Sequence, residues 1–221
     1  MVFLPFFTRR NALAAGVAAL AFAPLPGLAA AQEPAPKVDV KELMTPIPNG
    51  LPDVVVGDAN APVTIVEYAS MTCTHCAAFH AETYPALVSK YIQPGKVKFI
   101  LREYPLDALA AAAFMIARCM GDKRTAMVDL LFDQQKNWAF VPKPVDALEN
   151  IVKQAGMSSE AFKKCLDDRA LYQQVLDVRQ RANDKFGISS TPTFFINGTR
   201  AVGELTPDAM AKLIDPLLPA K

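Results

Sequence analysis

The chain has 221 residues, with 23 basic and 22 acidic side chains, and 52% of its residues are hydrophobic. This composition excludes an intrinsically disordered protein, and the balanced charge argues against a basic nucleic-acid-binding protein. The length allows one domain with an insertion, or two small domains at most.

The N-terminal residues 1–31 have the pattern of an export signal. Arg9 and Arg10 precede an uncharged, Ala- and Leu-rich stretch, and residues 29–31 offer a small-residue cleavage site. The paired arginines also resemble a twin-arginine signal, so the export route stays open. An uncleaved membrane anchor is disfavoured because Pro24 and Pro26 interrupt the apolar helix. We therefore expect a periplasmic protein, in a compartment where disulfides persist.

Three strands and one helix are predicted in the first half of the mature chain. Residues 32–52 contain five prolines and predict an N-terminal tail or linker with at most one short helical turn. Residues 54–56 predict an edge strand, and the β-branched run 63–69 predicts a central strand. A kinked helix over 73–91 leads to a third strand over 96–104, which by default runs parallel to the second.

The second half begins with a helical block over residues 106–186. Apolar residues recur there at three- and four-residue spacings and predict helices over 108–120, 125–136, 144–155, 159–166 and 170–186. A hairpin follows, in which Asn197-Gly198 joins two short strands through a type I′ turn. A last helix begins at Thr206-Pro207.

The order of these elements predicts an α/β fold of the thioredoxin-like type. A β-α-β half and a β-β-α half must share one mixed sheet, because neither half has enough strands to cover its own apolar face. The sheet domain is thus predicted to comprise residues 53–105 and 187–221, and residues 106–186 form a helical insertion.

The motif Cys73-Thr74-His75-Cys76 lies where a predicted strand passes into a helix. At i and i+3 in a first helical turn, the two sulfurs are close enough to form a disulfide. Cys73 faces unpaired backbone N–H groups at the positive end of the helix dipole, and a protonated His75 would add a second positive neighbour. Both favour the thiolate, which makes the disulfide a better oxidant. The motif predicts thiol–disulfide exchange without a metal or a bound cofactor.

Two other readings of the motif stay open. The two cysteines could form a purely structural disulfide. They could also bind zinc together with His80, with Cys119 or Cys165 as the fourth ligand. A Cys-x-x-Cys pair that opens the helix of a β-α-β unit favours the redox reading.

Several segments together resemble the DsbA family of thioredoxin-fold oxidoreductases. The similarity covers most of residues 54–221 and rests on residues 61–68, the Cys73–Cys76 motif, Phe79-His80, Pro85, residues 95–97, residues 102–106 and residues 191–194. It implies that Cys73 is the cysteine that exchanges disulfides with the substrate and that its thiol is strongly acidic. It also implies that Cys76 is the buried resolving partner of Cys73. It also implies that Pro192 is a cis-proline facing the disulfide, which leaves the Thr191 backbone free to pair with an extended substrate peptide.

The resemblance also assigns roles away from the cysteines. Glu67 matches a buried acidic residue behind the disulfide and is a candidate proton acceptor, although a solvated or paired carboxylate is the alternative. His80 is left as a residue of the helix surface. Thr74 and Thr191 stand where the best-known family member has Pro and Val, two positions that tune potential and substrate choice, so an isomerase or reductase remains an alternative to an oxidase.

The implied partners are reduced or unfolded exported proteins and a membrane protein of DsbB type that reoxidises the dithiol; nucleic acid is not among them. Family isomerases are usually oligomers with an added N-terminal assembly domain, so the short tail here favours a monomeric oxidase. Cys119 and Cys165, on helices of the insertion, are predicted to form a structural disulfide worth about 4 kcal/mol on the chain-entropy model. Two buried free thiols are the alternative.

Overall fold

The structure is a computed structural model in which residues 36–219 are described. The predicted signal peptide, residues 1–31, lies outside the described residues. From residue 36 to residue 219, no helix is both long enough and apolar enough to span a bilayer.

Within residues 36–219, five strands form one mixed sheet in the order β1-β3-β2-β4-β5. They are β1 (Val55–Val56), β2 (Val63–Ala69), β3 (Val97–Glu103), β4 (Thr193–Ile196) and β5 (Thr199–Val202). Strands β2 and β3 are parallel, and the other neighbours are antiparallel. The prediction that the two halves share one mixed sheet is confirmed.

Helices cover both faces of the sheet. They are α1 (Val40–Met44), α2 (Thr74–Glu82), α3 (Tyr84–Leu87) with a π-helical turn (Val88–Ile92), α4 (Ala108–Cys119), α5 (Arg124–Asp133), α6 (Gln135–Trp138), α7 (Pro144–Gln154), α8 (Ser159–Leu166), α9 (Arg169–Phe186) and α10 (Pro207–Ile214). Local sequence explains several ends. Thr206 caps α10 through its side chain, and both Asn197 and Gly198 have positive φ in the β4–β5 turn.

The alternation of side chains along the buried central strand β2 determines which of them face α2. Val63, Ile65 and Ala69 belong to a hydrophobic cluster that includes residues of α2, α4 and α5, whereas Val66 and Tyr68 belong to a second cluster on the other face. Because side chains alternate across a strand, Glu67 points to the same face as Ile65. The single carboxylate of β2 is therefore directed toward α2.

Helix α9, the last helix of the predicted insertion over residues 106–186, packs on the sheet. Its residues Val178, Ala182 and Phe186 pack in the second cluster with side chains of the sheet. The last helix of the block thus forms the outer layer of the α/β sandwich, because the sheet needs apolar cover on both faces.

The described part of the predicted N-terminal tail, residues 36–52, contains the short helix α1 and packs on the rest of the fold. The backbone N–H of Val38 donates to the carbonyl oxygen of Gly198 (2.9 Å), and that of Arg200 donates to the carbonyl oxygen of Pro36 (2.9 Å). Leu43 is buried in the second cluster, and its carbonyl oxygen accepts a hydrogen bond from Arg102. These contacts are with residues distant in sequence. The segment is therefore held in place without a regular spacing of apolar residues.

Cys119 and Cys165 form a disulfide that joins α4 to α8, with their sulfurs 2.04 Å apart across 46 positions of sequence. The structure thus contains the bridge predicted for the insertion rather than two free thiols. The bridge ties together the last turns of two helices.

Candidate active site

Cys73 is the N-cap residue of α2, and Cys76 lies in the first turn of the same helix. The backbone N–H of Cys76 donates to Cys73 Sγ at 3.4 Å, so the sulfur takes the place that a capping oxygen usually holds. Both cysteines carry free thiols; Cys73 is 7% exposed and Cys76 is fully buried. Cys73 is therefore the sulfur that an incoming thiol can reach.

The surroundings of Cys73 lower the pKa of its thiol to about 6. The largest cause is the hydrogen bond that the thiol of Cys76 donates to Cys73 Sγ, and burial acts in the opposite direction. The side chain of Thr191 and the backbone N–H groups of Cys76 and His75 lower the pKa further. Donors at a helix N-terminus thus outweigh the cost of desolvating the thiolate.

The pKa of the Cys76 thiol shifts in the opposite direction, well above its usual value. Burial is the main cause, followed by the hydrogen bond to Cys73 and the negative charge of Glu67. Two cysteines three residues apart therefore differ in ionisation. The accessible sulfur is stable as an anion, while the buried sulfur retains its proton.

Thr191 and Pro192 lie directly against the reactive sulfur. Cys73 Sγ lies 3.4 Å from the carbonyl oxygen of Thr191, and the Thr191–Pro192 peptide bond is cis. Among residues 36–219, the buried Oγ1 of Thr191 has no hydrogen-bond partner. Its hydroxyl is thus free to donate to a thiolate at Cys73.

His75 is placed differently from the sequence-based expectation. Its ring is 71% exposed, and Nδ1 lies 3.2 Å from Oε2 of Glu204, so the imidazole has an acidic partner of its own. The contribution of His75 to the low pKa of Cys73 comes from its backbone N–H. Thr74, the other residue between the cysteines, is exposed.

Glu67 and His80 form a buried pair behind the cysteines. Glu67 Oε2 lies 2.9 Å from His80 Nε2, and the two side chains are 0% and 5% exposed. The His80 ring stacks on Phe132, with ring centroids 4.3 Å apart. The prediction that His80 lies on the helix surface is wrong, because α5 of the insertion covers this face of α2. The spacing of apolar residues in α2 alone does not reveal that another helix packs on this face.

The zinc alternative lacks a ligand set in the described part of the chain. Across residues 36–219, no three His, Cys, Asp or Glu side chains are grouped so that they could hold one metal ion. Cys119 and Cys165, the predicted sources of a fourth ligand, are bonded to each other.

Gln135 is a site residue that sequence reasoning missed. It belongs to α6 of the insertion and is buried, and its Nε2 donates to the carbonyl oxygens of Met71 (2.8 Å) and Cys73 (3.0 Å). These bonds hold the loop that leads from β2 into α2. The only signal in the sequence was a glutamine within the predicted helix 125–136, which indicates no function without the tertiary contact.

Comparisons with known proteins agree with this geometry. A family model described as thioredoxin matches residues 50–216. The chain is 32% identical over 150 residues, or 67% of its length, to a protein of Rickettsia bellii (strain RML369-C) named "Putative protein-disulfide oxidoreductase", and it spans 58% of that relative.

Solved structures show the same architecture. The crystal structure of Wolbachia pipientis alpha-DsbA1 superposes with a TM-score of 0.73 at 29% identity, covering 80% of this chain and 94% of that one. The structure of oxidised BdbD from Bacillus subtilis, at 21% identity, shares the fold with a TM-score of 0.65 and covers 83% of this chain and 96% of its own. The chain belongs to the thioredoxin family and, within it, to the DsbA-like proteins.

Proposed function

We propose that the protein is an exported thiol:disulfide oxidoreductase that donates its Cys73–Cys76 disulfide to folding substrate proteins. The observation that carries this proposal is the opposite ionisation of the two sulfurs, with a Cys73 thiol of pKa about 6 beside a Cys76 thiol whose pKa is raised. A sulfur that is stable as a thiolate is a good leaving group in disulfide exchange.

Two displacements transfer the disulfide. A substrate thiolate attacks Cys73 Sγ of the oxidised protein, forming a mixed disulfide, and Cys76 leaves as a thiolate that takes up a proton. A second substrate thiolate then attacks the substrate sulfur of the mixed disulfide, and Cys73 leaves as a thiolate. Two electrons pass from the substrate dithiol to the protein. The sulfurs of Cys73 and Cys76 take up these electrons as the bond between them breaks, so the reaction needs no bound cofactor.

The substrates in this proposal are reduced or unfolded exported proteins, and the protein acts as a monomer. An extended substrate segment pairs with the backbone beside Cys73, where the Thr191 carbonyl oxygen lies 3.4 Å from Sγ. A membrane protein of DsbB type reoxidises the dithiol. The pattern of residues 1–31 supports export to the periplasm.

The test is oxidative refolding of a reduced, disulfide-containing substrate by the wild type and by Cys73→Ala. We expect the wild type to restore substrate activity and Cys73→Ala to leave only the uncatalysed rate. Cys76→Ala should also leave only the uncatalysed rate, because it cannot form the disulfide that is donated. Mixed with an oxidised substrate, it should accumulate a mixed disulfide at Cys73, visible on a non-reducing gel, because no neighbouring thiol resolves it. A Cys73→Ala variant as active as the wild type would refute the mechanism. A Cys119→Ser/Cys165→Ala variant serves as the matched control and should remain active.

A further inference from the structure

A row of polar groups leads from the buried face of α2 to solvent. Glu67 Oε2 lies 2.9 Å from His80 Nε2, and on the other side of the ring Nδ1 lies 3.9 Å from Asp129 Oδ1. The Asp129 side chain is 48% exposed, whereas those of Glu67 and His80 are buried. One end of the row is therefore closed and the other is open.

Two atoms of the row are buried without a partner. Considering residues 36–219, neither Oε1 of Glu67 nor Nδ1 of His80 has a hydrogen-bond partner. Such orphaned atoms are rare in folded proteins and call for an explanation. A cavity of about 10 Å³, lined in part by His80, Arg124 and Asp129, lies at this point. That space is near the lower limit for one water molecule, which could bridge the 3.9 Å gap.

The buried end of the row, at Glu67, lies near Cys76, whose thiol must lose and regain a proton during disulfide exchange. Cys76 is fully buried, and burial, with the charge of Glu67 as a further cause, raises the pKa of its thiol. To attack a mixed disulfide at Cys73, this thiol has to lose its proton, and when Cys76 is the leaving group it has to regain one. Bulk water does not reach it directly.

We propose that His80 and Asp129 carry the proton of Cys76 between Glu67 and solvent. This relay deepens the thiol–disulfide exchange proposed above and rests on it. As Cys76 Sγ attacks Cys73 Sγ in a mixed disulfide, the partner leaves as a thiolate and the thiol proton passes to the Glu67 carboxylate. Glu67 holds this proton on Oε1 while the Nε2–H of His80 keeps its hydrogen bond to Oε2, and Nδ1 of His80 releases a proton to Asp129, which exchanges it with water. The steps run in reverse when Cys76 leaves.

The charges around the His80 ring are consistent with proton transfer from Glu67 to Asp129. Glu67 faces the ring from β2, and Asp129 and Arg124 face it from α5. The ring of Tyr84, on α3, has its centroid 4.9 Å from that of the His80 ring. Arg124 is paired with Glu103 (2.7 Å), so its charge is balanced. Burial raises the pKa of Asp129, which moves this carboxyl group toward the pH at which proton transfer is most efficient.

The test measures the resolving step alone on the full chain. Reduced protein is mixed with oxidised glutathione, and the Cys73–glutathione mixed disulfide is followed by acid quench and mass spectrometry from pH 5 to pH 8. We expect Asp129→Asn to slow the loss of this species about tenfold, while its formation at Cys73 keeps the wild-type rate. Asp133→Asn, four residues further along α5 and exposed, is the matched control and should match the wild type.

Chemical rescue separates a relay from a packing role. His80→Ala should slow resolution, and added imidazole should restore the rate, because a free base can occupy the vacated site. Resolution by Asp129→Asn at the wild-type rate, or no effect of imidazole on a folded His80→Ala, would overturn the relay. If wild-type Cys73 forms no mixed disulfide, the proposed function itself fails, and the two failures are thereby distinguished.

Discussion

The two cysteine pairs of this molecule lie at opposite ends of helices. Cys73 caps the N-terminus of α2, whereas Cys119 is the last residue of α4 and Cys165 lies in the last turn of α8. Backbone N–H groups at a helix start stabilise an anion, and carbonyl oxygens at a helix end disfavour one. A thiolate is therefore stabilised by the helix start at Cys73, whereas the helix ends at Cys119 and Cys165 give a thiolate no such stabilisation.

Exposure alone does not distinguish the pairs. Cys119 is exposed and Cys165 is buried, yet both belong to the bonded pair. Cys73, at 7% exposed, is the residue with a lowered pKa. The comparison teaches that the hydrogen-bond donors around the sulfur determine which disulfide is suited to exchange, and that access comes second. The thiol of Cys76 is the strongest of these donors, and the backbone N–H groups of the helix start add to it.

Removing the helical bridge should cost stability without removing exchange. Breaking the link across 46 positions in Cys119→Ser/Cys165→Ala should lower the free energy of unfolding by about 4 kcal/mol on the chain-entropy model. Urea denaturation measures the loss. The rate at which Cys73 forms a mixed disulfide with oxidised glutathione should stay unchanged. A large fall in that rate would show that the two pairs are coupled.

The stability of the reduced form should depend on pH through Cys73. Its thiol has a pKa of about 6 in the folded state, against 9.0 for an ordinary cysteine. The lowered pKa gives stability that is complete above about pH 9 and is lost as the pH falls through 6. The reduced protein should thus gain on the order of 2 to 4 kcal/mol relative to the oxidised protein between pH 6 and pH 9, with solvent screening at the reachable sulfur included.

Denaturation curves of both redox forms at several pH values check this expectation. Cys76 contributes little below about pH 8, because its raised pKa keeps it protonated in the folded state and the ordinary thiol pKa of 9.0 keeps it mostly protonated in the unfolded state. Reduced Cys73→Ala is the control and should lose the pH-dependent gain. A constant difference between reduced and oxidised wild type would contradict a stabilised thiolate.

The hydroxyl of Thr191 should tune the same thiolate by a smaller amount. Thr191→Val removes a buried Oγ1 that has no other partner within residues 36–219 and keeps the shape of the side chain. Because the Thr191 side chain is one of the causes that lower the pKa of Cys73, that pKa should rise by roughly one unit or less. Absorbance at the thiolate band, recorded against pH, measures the change. Thr193→Val, at the first residue of β4, is the control and should leave the pKa of Cys73 unchanged, because the Thr193 hydroxyl donates to the carbonyl oxygen of Ser190.

Local signals were sufficient to predict most of the fold. Asn197-Gly198 specifies a turn that needs positive φ at both residues, and Thr206-Pro207 specifies a capped helix start. The β-branched run of β2 can hardly form anything but a buried strand. The packing of residues 36–52 and of α9 was not predictable in this way, because their partners are distant in sequence.

The same division applies to the site. The place of Cys73 at a helix start follows from the strand that precedes it, and the spacing of the motif follows from the helix. The pairing of His80 with Glu67 and the bonds from Gln135 to the loop before α2 require the insertion to close over α2. A sequence indicates that a polar residue lies on a helix, but it does not indicate which distant element covers that face.

The imidazole of His75 provides the last and smallest test, because it asks whether side-chain charge adds to the effect of the helix start. The ring is turned to Glu204 at 3.2 Å and is largely exposed, and exposed ion pairs have weak effects. What His75 gives to Cys73 is a backbone N–H, which alanine also supplies. His75→Ala should therefore move the pKa of Cys73 by only about 0.3 unit. A rise of a full unit would show that the charged ring supports the thiolate, and the contrast between the two cysteine pairs would then depend on side-chain charge as well as on hydrogen-bond donors at the helix start.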